Sequence, residues 1–142
     1  MNSIAIYTLT SELHDEGAVA AVTQEFLTSL HIKYDMRGSD YSDYGSHALD
    51  LIYVRTGGTE GIFLRLLPQL QLQSQKPFYL LTSGKSNSLA AAMEILSYLN
   101  QQGFKGEIIH GNNDYIHDRI TILSKANEAR QQLRGIRLGI IG

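Results

Sequence analysis

The chain has 142 residues, with 12 lysines and arginines against 14 aspartates and glutamates, a formal charge of −2. This length fits one domain, able to bury roughly two thirds of its unfolded surface without cross-links. The absence of cysteine excludes a disulfide framework, a thiolate zinc site and a cysteine nucleophile, the mixed charges contain no basic run suited to nucleic acid or an anionic membrane, and no apolar stretch approaches the ~20 residues of a membrane span.

Ile4–Leu9 is an apolar run with no basic region before it, so it reads as a first strand rather than a signal peptide. Together with the missing cysteines this suits a cytoplasmic protein. Ser11 before Glu12 is a helix cap in the sequence, and Val19, Val22, Phe26 and Leu30 then recur at helical spacing. Ile32–Met36 is a second strand whose polar character places it at a sheet edge. Arg37–His47 is polar throughout, with Gly38, Ser39, Asp40, Tyr41, Ser42, Asp43, Tyr44, Gly45 and Ser46. It reads as too polar to pack and too long for a tight turn, hence a surface loop or short irregular helix.

Leu49–Arg55 is the third strand. Thr59 caps the next helix, whose stripe is Ile62, Phe63, Leu66, Leu67 and Leu70, and Pro68 is expected to break it or kink it near its end. Phe78–Thr82 follows, then Ser86 as a cap, the stripe Leu89, Met93, Leu96 and Leu99, and Gly103 as a stop. Glu107–His110 precedes the cap Asn113 and a long stripe of Ile116, Ile120, Leu123 and Leu133, with Gly135 as a stop and Ile136–Ile141 as a sixth strand. Continuous apolar strands alternating with helices predict a three-layer α/β fold with a doubly wound, mostly parallel sheet. The expected order is flavodoxin-like, 2-1-3-4-5, with the sixth strand at an edge or leaving the domain.

In such a sheet, ligands bind beyond the carboxyl ends of the strands, where the strand order reverses. Two loops there hold suitable groups. Arg55, Thr56, Gly57, Gly58, Thr59 and Glu60 combine close backbone approach, hydroxyls and a helix start; a tight turn with a threonine cap would use the same residues. Thr82, Ser83, Gly84, Lys85, Ser86, Asn87 and Ser88 combine hydroxyls, an amide and a lysine, suiting a sugar, a phosphate, a carboxylate or a subunit contact. His14, beside Asp15 and Glu16, is a further candidate, against the reading of a solvated loop histidine; His110 and His117 also stand near strand ends or helix starts. The acids form no metal-ligand cluster in the sequence, no Gly-x-Ser-x-Gly is present, and Arg55–Glu60 lacks the Gly-Lys-Ser/Thr ending and spacing of a Walker A loop. Thr8-Leu9-Thr10 and Arg55-Thr56 stand where a receiver domain needs acids, and Glu12, Asp15 and Glu16 would repel a flavin phosphate after the first strand.

Three segments resemble the N-terminal domain of the L-fucose isomerase-like proteins, relatives of the L-fucose and L-arabinose isomerases. They are Leu51–Glu60, reading LIYVRTGGTE; Pro77–Thr82 with Asn87–Glu94 and the helix to Gly103; and Leu133–Gly142, reading LRGIRLGIIG. From Leu51 to Gly142 they span about two thirds of the chain. The resemblance implies aldose–ketose isomerisation assisted by Mn²⁺ in a parent protein whose metal ligands and acid–base carboxylates lie in later domains. The chain, residues 1–142, would then be a non-catalytic domain with no cofactor of its own. It would contribute to a substrate pocket and to assembly of a homo-oligomer, with residues 136–142 starting the connection to the downstream domains. Its partners would be those domains and a small sugar, with neither nucleic acid nor membrane. Two other readings stay open. Thr82–Ser88 is distantly similar to the serine-rich loops of sugar-phosphate isomerase (SIS) domains, which implies a self-contained sugar-phosphate module; a purely structural interaction domain is the third.

Overall fold

The computed structural model describes residues 2–12, 15–85 and 87–140, with residues 134–140 as backbone only. The elements are β1 (Ile4–Leu9), α1 (Glu16–Ser29), β2 (Asp35–Gly38), β3 (Leu49–Val54), α2 (Glu60–Gln73), β4 (Phe78–Leu81), α3 (Ser88–Gln101), β5 (Gly106–Ile109) and α4 (Asn113–Ile140). The five strands form one all-parallel sheet in the order β2-β1-β3-β4-β5, a flavodoxin-like arrangement. Among the described residues no helix is long and apolar enough to cross a membrane.

Alternation along the strands divides the interior into two cores. Ala5, Tyr7 and Leu9 of β1 face α2 and α3, together with Ile52, Val54, Phe78 and Leu80. Ile4 and Ile6 face α1 and α4, together with Leu49, Leu51, Tyr53, Tyr79 and Leu81. Both faces of the central strands are covered, and this is why their sequences are apolar apart from Thr8 and Asp50.

Several elements differ from the sequence expectation. β2 is an edge strand, but it pairs through Asp35–Gly38, while Ile32 and Tyr34 pack against the α1/α4 core. α1 starts at Glu16 and is capped by Asp15, whose carboxylate accepts from Gly17 N, rather than by Ser11. Asn112, not Asn113, accepts from Tyr115 N at the head of α4, and Asn87, in the left-handed region at φ 59°, precedes α3 in place of Ser86. Pro68 does not end α2; it lies on the exposed face beside exposed Leu64, where water can reach the carbonyl it deprives of a donor. Of the predicted stripes, Val22, Met93 and Leu133 are exposed.

The sixth strand is the largest correction. Residues 136–140 continue α4, and Ile141 and Gly142 lie outside the described residues. Gly135 does not stop the helix. Lys125, Ala126, Glu128, Ala129, Arg130, Gln131, Gln132 and Leu133 form a run of strong helix formers, against which one glycine costs only about 1 kcal/mol.

The segment Ser39–Ala48 is not a polar surface loop. Tyr41, Tyr44, His47 and Ala48 are buried. The segment runs from the carboxyl end of β2 to the amino end of β3 and covers β1 on the α2/α3 side. Tyr41 stacks on Tyr7 with ring centroids 5.0 Å apart, Tyr44 meets Tyr7 edge-on at 5.3 Å, and Tyr44 stacks on Phe78 at 6.2 Å. Tyrosine has a polar tip on a large apolar ring, so a sequence rich in tyrosine and serine can still pack.

Polar bonds hold the crossing segment in place. Tyr41 Oη donates to Thr8 O at 2.8 Å, and the Gln73 side-chain amide donates to the carbonyls of Tyr41 and Tyr44, both at 2.9 Å. Gly45, at φ +97°, lies so close to α2 that a Cβ would stand 2.5 Å from Gln73 O. Beneath the segment, Asp50 accepts from Tyr7 Oη at 3.1 Å, and Tyr7 also reaches Asp43 at 3.1 Å. His47 lies between Asp50 and Asp35, 3.4 Å from each. Lys76 Nζ donates to His47 O and stands 3.8 Å from Asp50. Burial pushes the Asp50 carboxyl up, against the opposing pull of Lys76 and Tyr7; burial and the two carboxylates push the Tyr7 phenol up.

Tyr7→Phe removes the donor that Asp50 and Asp43 share while keeping the ring stack. It is expected to cost about 1–3 kcal/mol in urea unfolding with an unchanged m-value. A cost near zero would show that the phenol does not anchor the crossing segment.

Candidate functional site

Because the strands are parallel, the β1–α1, β3–α2 and β4–α3 loops gather at one end of the sheet. The strand order reverses there between β1 and β3. Arg55, the residue after β3, leans across this point. Its Nε donates to Thr10 Oγ1 at 2.7 Å, Nη1 to Thr23 Oγ1 at 3.3 Å, and Nη2 to both Glu16 carboxylate oxygens at 2.9 and 3.0 Å. The Arg55 side chain is only 9% exposed, whereas that of Glu16 is 69% exposed. Arg55 thus ties the β3–α2 loop to the β1–α1 loop and to α1 itself.

The remaining residues of this loop turn inward. Thr56 Oγ1 accepts from Ser11 N at 2.9 Å and donates to Gly57 O at 3.0 Å, and Thr59 Oγ1 donates to Thr56 O at 3.2 Å. Both threonines are fully buried. Gly58 sits at φ +72°, a conformation that L side chains rarely adopt. Glu60 stands near Glu94 of α3, and the neighbouring carboxyl pushes Glu94 up.

The β4–α3 loop is divided. Thr82 and Ser88 are fully buried and their hydroxyls bond each other. Thr82 Oγ1 also accepts from Gly84 N at 3.0 Å. Ser83 is half-buried, near the phenol of Tyr53, and its hydroxyl accepts from Lys85 N at 3.4 Å. Lys85 and Asn87 are exposed. His110 Nδ1 lies 3.3 Å from Thr82 O, and because a carbonyl only accepts, that nitrogen holds the proton. Gly84 makes room for this ring: a Cβ there would stand 2.7 Å from His110 Cε1. His117 Nδ1 bonds Leu30 O at 2.7 Å, away from these loops. The candidates Ser86 and His14 lie outside the described residues.

What faces outward is a crevice of about 180 Å³, between α1 and the ends of β3 and β4. Ala18, Val19 and Val22 of α1 form its apolar side; Thr23, Tyr53 and Arg55 form its polar wall; Asp15 and Lys85 stand at its rim. Burial pushes the Tyr53 phenol up, while Ser83, Arg55 and Thr23 oppose that shift. At roughly 30 Å³ per water, the crevice holds about six waters, the space of a single small ring. Among the described residues no group of three or more histidines and acids is placed to hold a metal ion.

Sequence reasoning found Arg55 and Lys85 but missed the α1 side. Val19 and Val22 share the helical spacing of Phe26 and Leu30, and periodicity does not separate a crevice wall from a core. The available signal was Thr23, a polar residue on an otherwise apolar face. The chain matches no protein-family model, no curated protein and no solved structure.

Arg55 and Glu16 separate the buried part of this clamp from the exposed part. Arg55→Leu is expected to destabilise by about 1–3 kcal/mol through the orphaned Thr10 and Thr23 contacts, and Glu16→Gln by under about 1 kcal/mol because the pair is exposed at that end. Equal losses in chemical unfolding would contradict a clamp centred on Thr10 and Thr23.

Proposed function

We propose that the chain is the non-catalytic, substrate-contacting N-terminal domain of a cytoplasmic sugar (aldose–ketose) isomerase-like protein. It contributes one wall of a sugar pocket and a surface for assembly with further domains and with other copies. The observation that supports this reading best is the crevice at the carboxyl end. It pairs an apolar side of Ala18, Val19 and Val22 with a polar wall and a rim lysine. A free sugar presents C–H faces and hydroxyls together, and this division of apolar and polar surface suits both.

The internal use of the loop hydroxyls supports the same reading. Thr56, Thr59, Thr82 and Ser88 are spent on positioning the loops, and Arg55 is spent on α1. Lys85 is the exposed cation left at the rim. A wall of this kind orients a substrate and leaves proton transfer and metal assistance to groups supplied by other domains, with Mn²⁺ held there. The sugar-phosphate reading draws on the same loop, but the mutual bond of Thr82 and Ser88 occupies hydroxyls that such a site would need.

Thermal-shift titration with free pentoses and hexoses, their phosphates, and Mn²⁺ tests the proposal. Free sugars are expected to stabilise the chain at millimolar concentration. Lys85→Ala is expected to weaken that binding roughly tenfold, the worth of one charge-assisted hydrogen bond. Stabilisation by sugar phosphates alone would favour the sugar-phosphate module, and Mn²⁺-dependent isomerase activity of this chain by itself would overturn the non-catalytic assignment.

A further inference from the structure

The opposite end of the sheet contains a larger concavity. A cleft of about 720 Å³ opens at the amino ends of β4 and β5, between α4 and the turns that precede those strands. A second cavity of about 360 Å³ adjoins it and shares Lys76 and Arg130 with it. The cleft exists because α4 outruns the sheet. At 1.5 Å per residue its 28 residues extend about 42 Å, whereas the four residues of β5 extend only about 13 Å. Arg130 lies roughly 25 Å along the helix by the same rise, and it lines both cavities.

The chemistry of the lining is one-sided. Lys76, Lys105 and Arg130 come from three separate segments, and among the described residues neither cavity has an aspartate or glutamate in its wall. The chain as a whole has more acids than bases, so this concentration of positive charge opposes its general balance. Lys76 is partly committed to His47 O and Asp50. Lys105 and Arg130 are exposed and have no carboxylate within ion-pair distance among the described residues. Phe104, half-buried, is the apolar ring at the cleft, and it packs edge-to-face on the buried Phe78 with ring centroids 6.1 Å apart. A cleft of this volume is within the range of small-molecule sites, which runs from roughly 300 to 1,000 Å³.

We propose that this amino-end cleft binds an organic anion with at least two negative charges and a flat apolar part, of the class of a nucleoside diphosphate. Arg130 and Lys105, on separate segments, grip the anion, Lys76 adds its charge, and the half-buried Phe104 packs against the ring. Arginine is the stronger of the two grips, since its planar fork matches two phosphate oxygens at once. The site is separate from the carboxyl-end crevice and does not depend on the proposed sugar-binding role.

Calorimetry on the intact chain with ADP and with adenosine tests the assignment. ADP is expected to bind at least tenfold more tightly than adenosine, and to weaken as salt rises from 50 to 200 mM, as screened charge contacts do. The double variant Lys105→Gln/Arg130→Gln changes only exposed side chains; it is expected to keep the thermal midpoint of the parent and to lose at least tenfold in ADP affinity. Lys85→Ala is expected to leave ADP binding unchanged. Absence of ADP binding, equal affinity for ADP and adenosine, wild-type ADP affinity in the double variant, or loss of ADP binding in Lys85→Ala would each overturn the proposal.

Discussion

The crossing from β2 to β3 constrains the rest of this molecule. In the order β2-β1-β3, with all strands parallel, the chain must return from the carboxyl end of β2 to the amino end of β3 over the top of β1. It does so through Ser39–Ala48 without a helix. A bare loop there would leave β1 wet on one face. Tyr41 and Tyr44 supply the missing layer, and the buried Asp50 cluster with Tyr7, His47 and Lys76 pins its far end. Asn127 of α4 donates to Ala48 O at 2.8 Å, so a helix on the other face of the sheet joins the same anchor. A buried carboxylate is costly unless it is paired and hydrogen-bonded. Asp50 is both, which allows one charge to organise strands, loop and helix together.

With that face closed, the two ends of the sheet take different characters. At the carboxyl end, Arg55 draws the first and third strand loops together and the threonines lock them. The result is a small, rigid crevice with few free polar groups. At the amino end, α4 extends past the strands and leaves a wider, cationic cleft. The first shape suits a shared wall of a pocket; the second suits a charged ligand in its own right.

The sheet order was legible because strands buried on both faces are mostly apolar, and Ile4–Leu9 and Leu49–Val54 are such strands, each with a single polar exception, Thr8 and Asp50. The carboxyl-end location of the candidate site followed from that order. The roles of Thr56, Thr59, Thr82 and Ser88 did not, because a hydroxyl that locks a turn and one that meets a ligand are written with the same letters. The crossing segment was misread because its tyrosines were counted with its serines and aspartates. The Ile136–Ile141 strand was misread because alternating apolar residues fit a strand as well as the end of a helix already propagating from Asn113.

The most direct test of the functional account is a two-dimensional amide NMR titration of the chain with free L-arabinose and L-fucose. The account predicts progressive shifts at Ala18, Val19, Val22, Thr23, Tyr53, Arg55 and Lys85, the residues around the carboxyl-end crevice, with Ser74–Phe78 at the other end unmoved. Shifts confined to the amino-end residues, or a spectrum unchanged at high millimolar sugar, would contradict it.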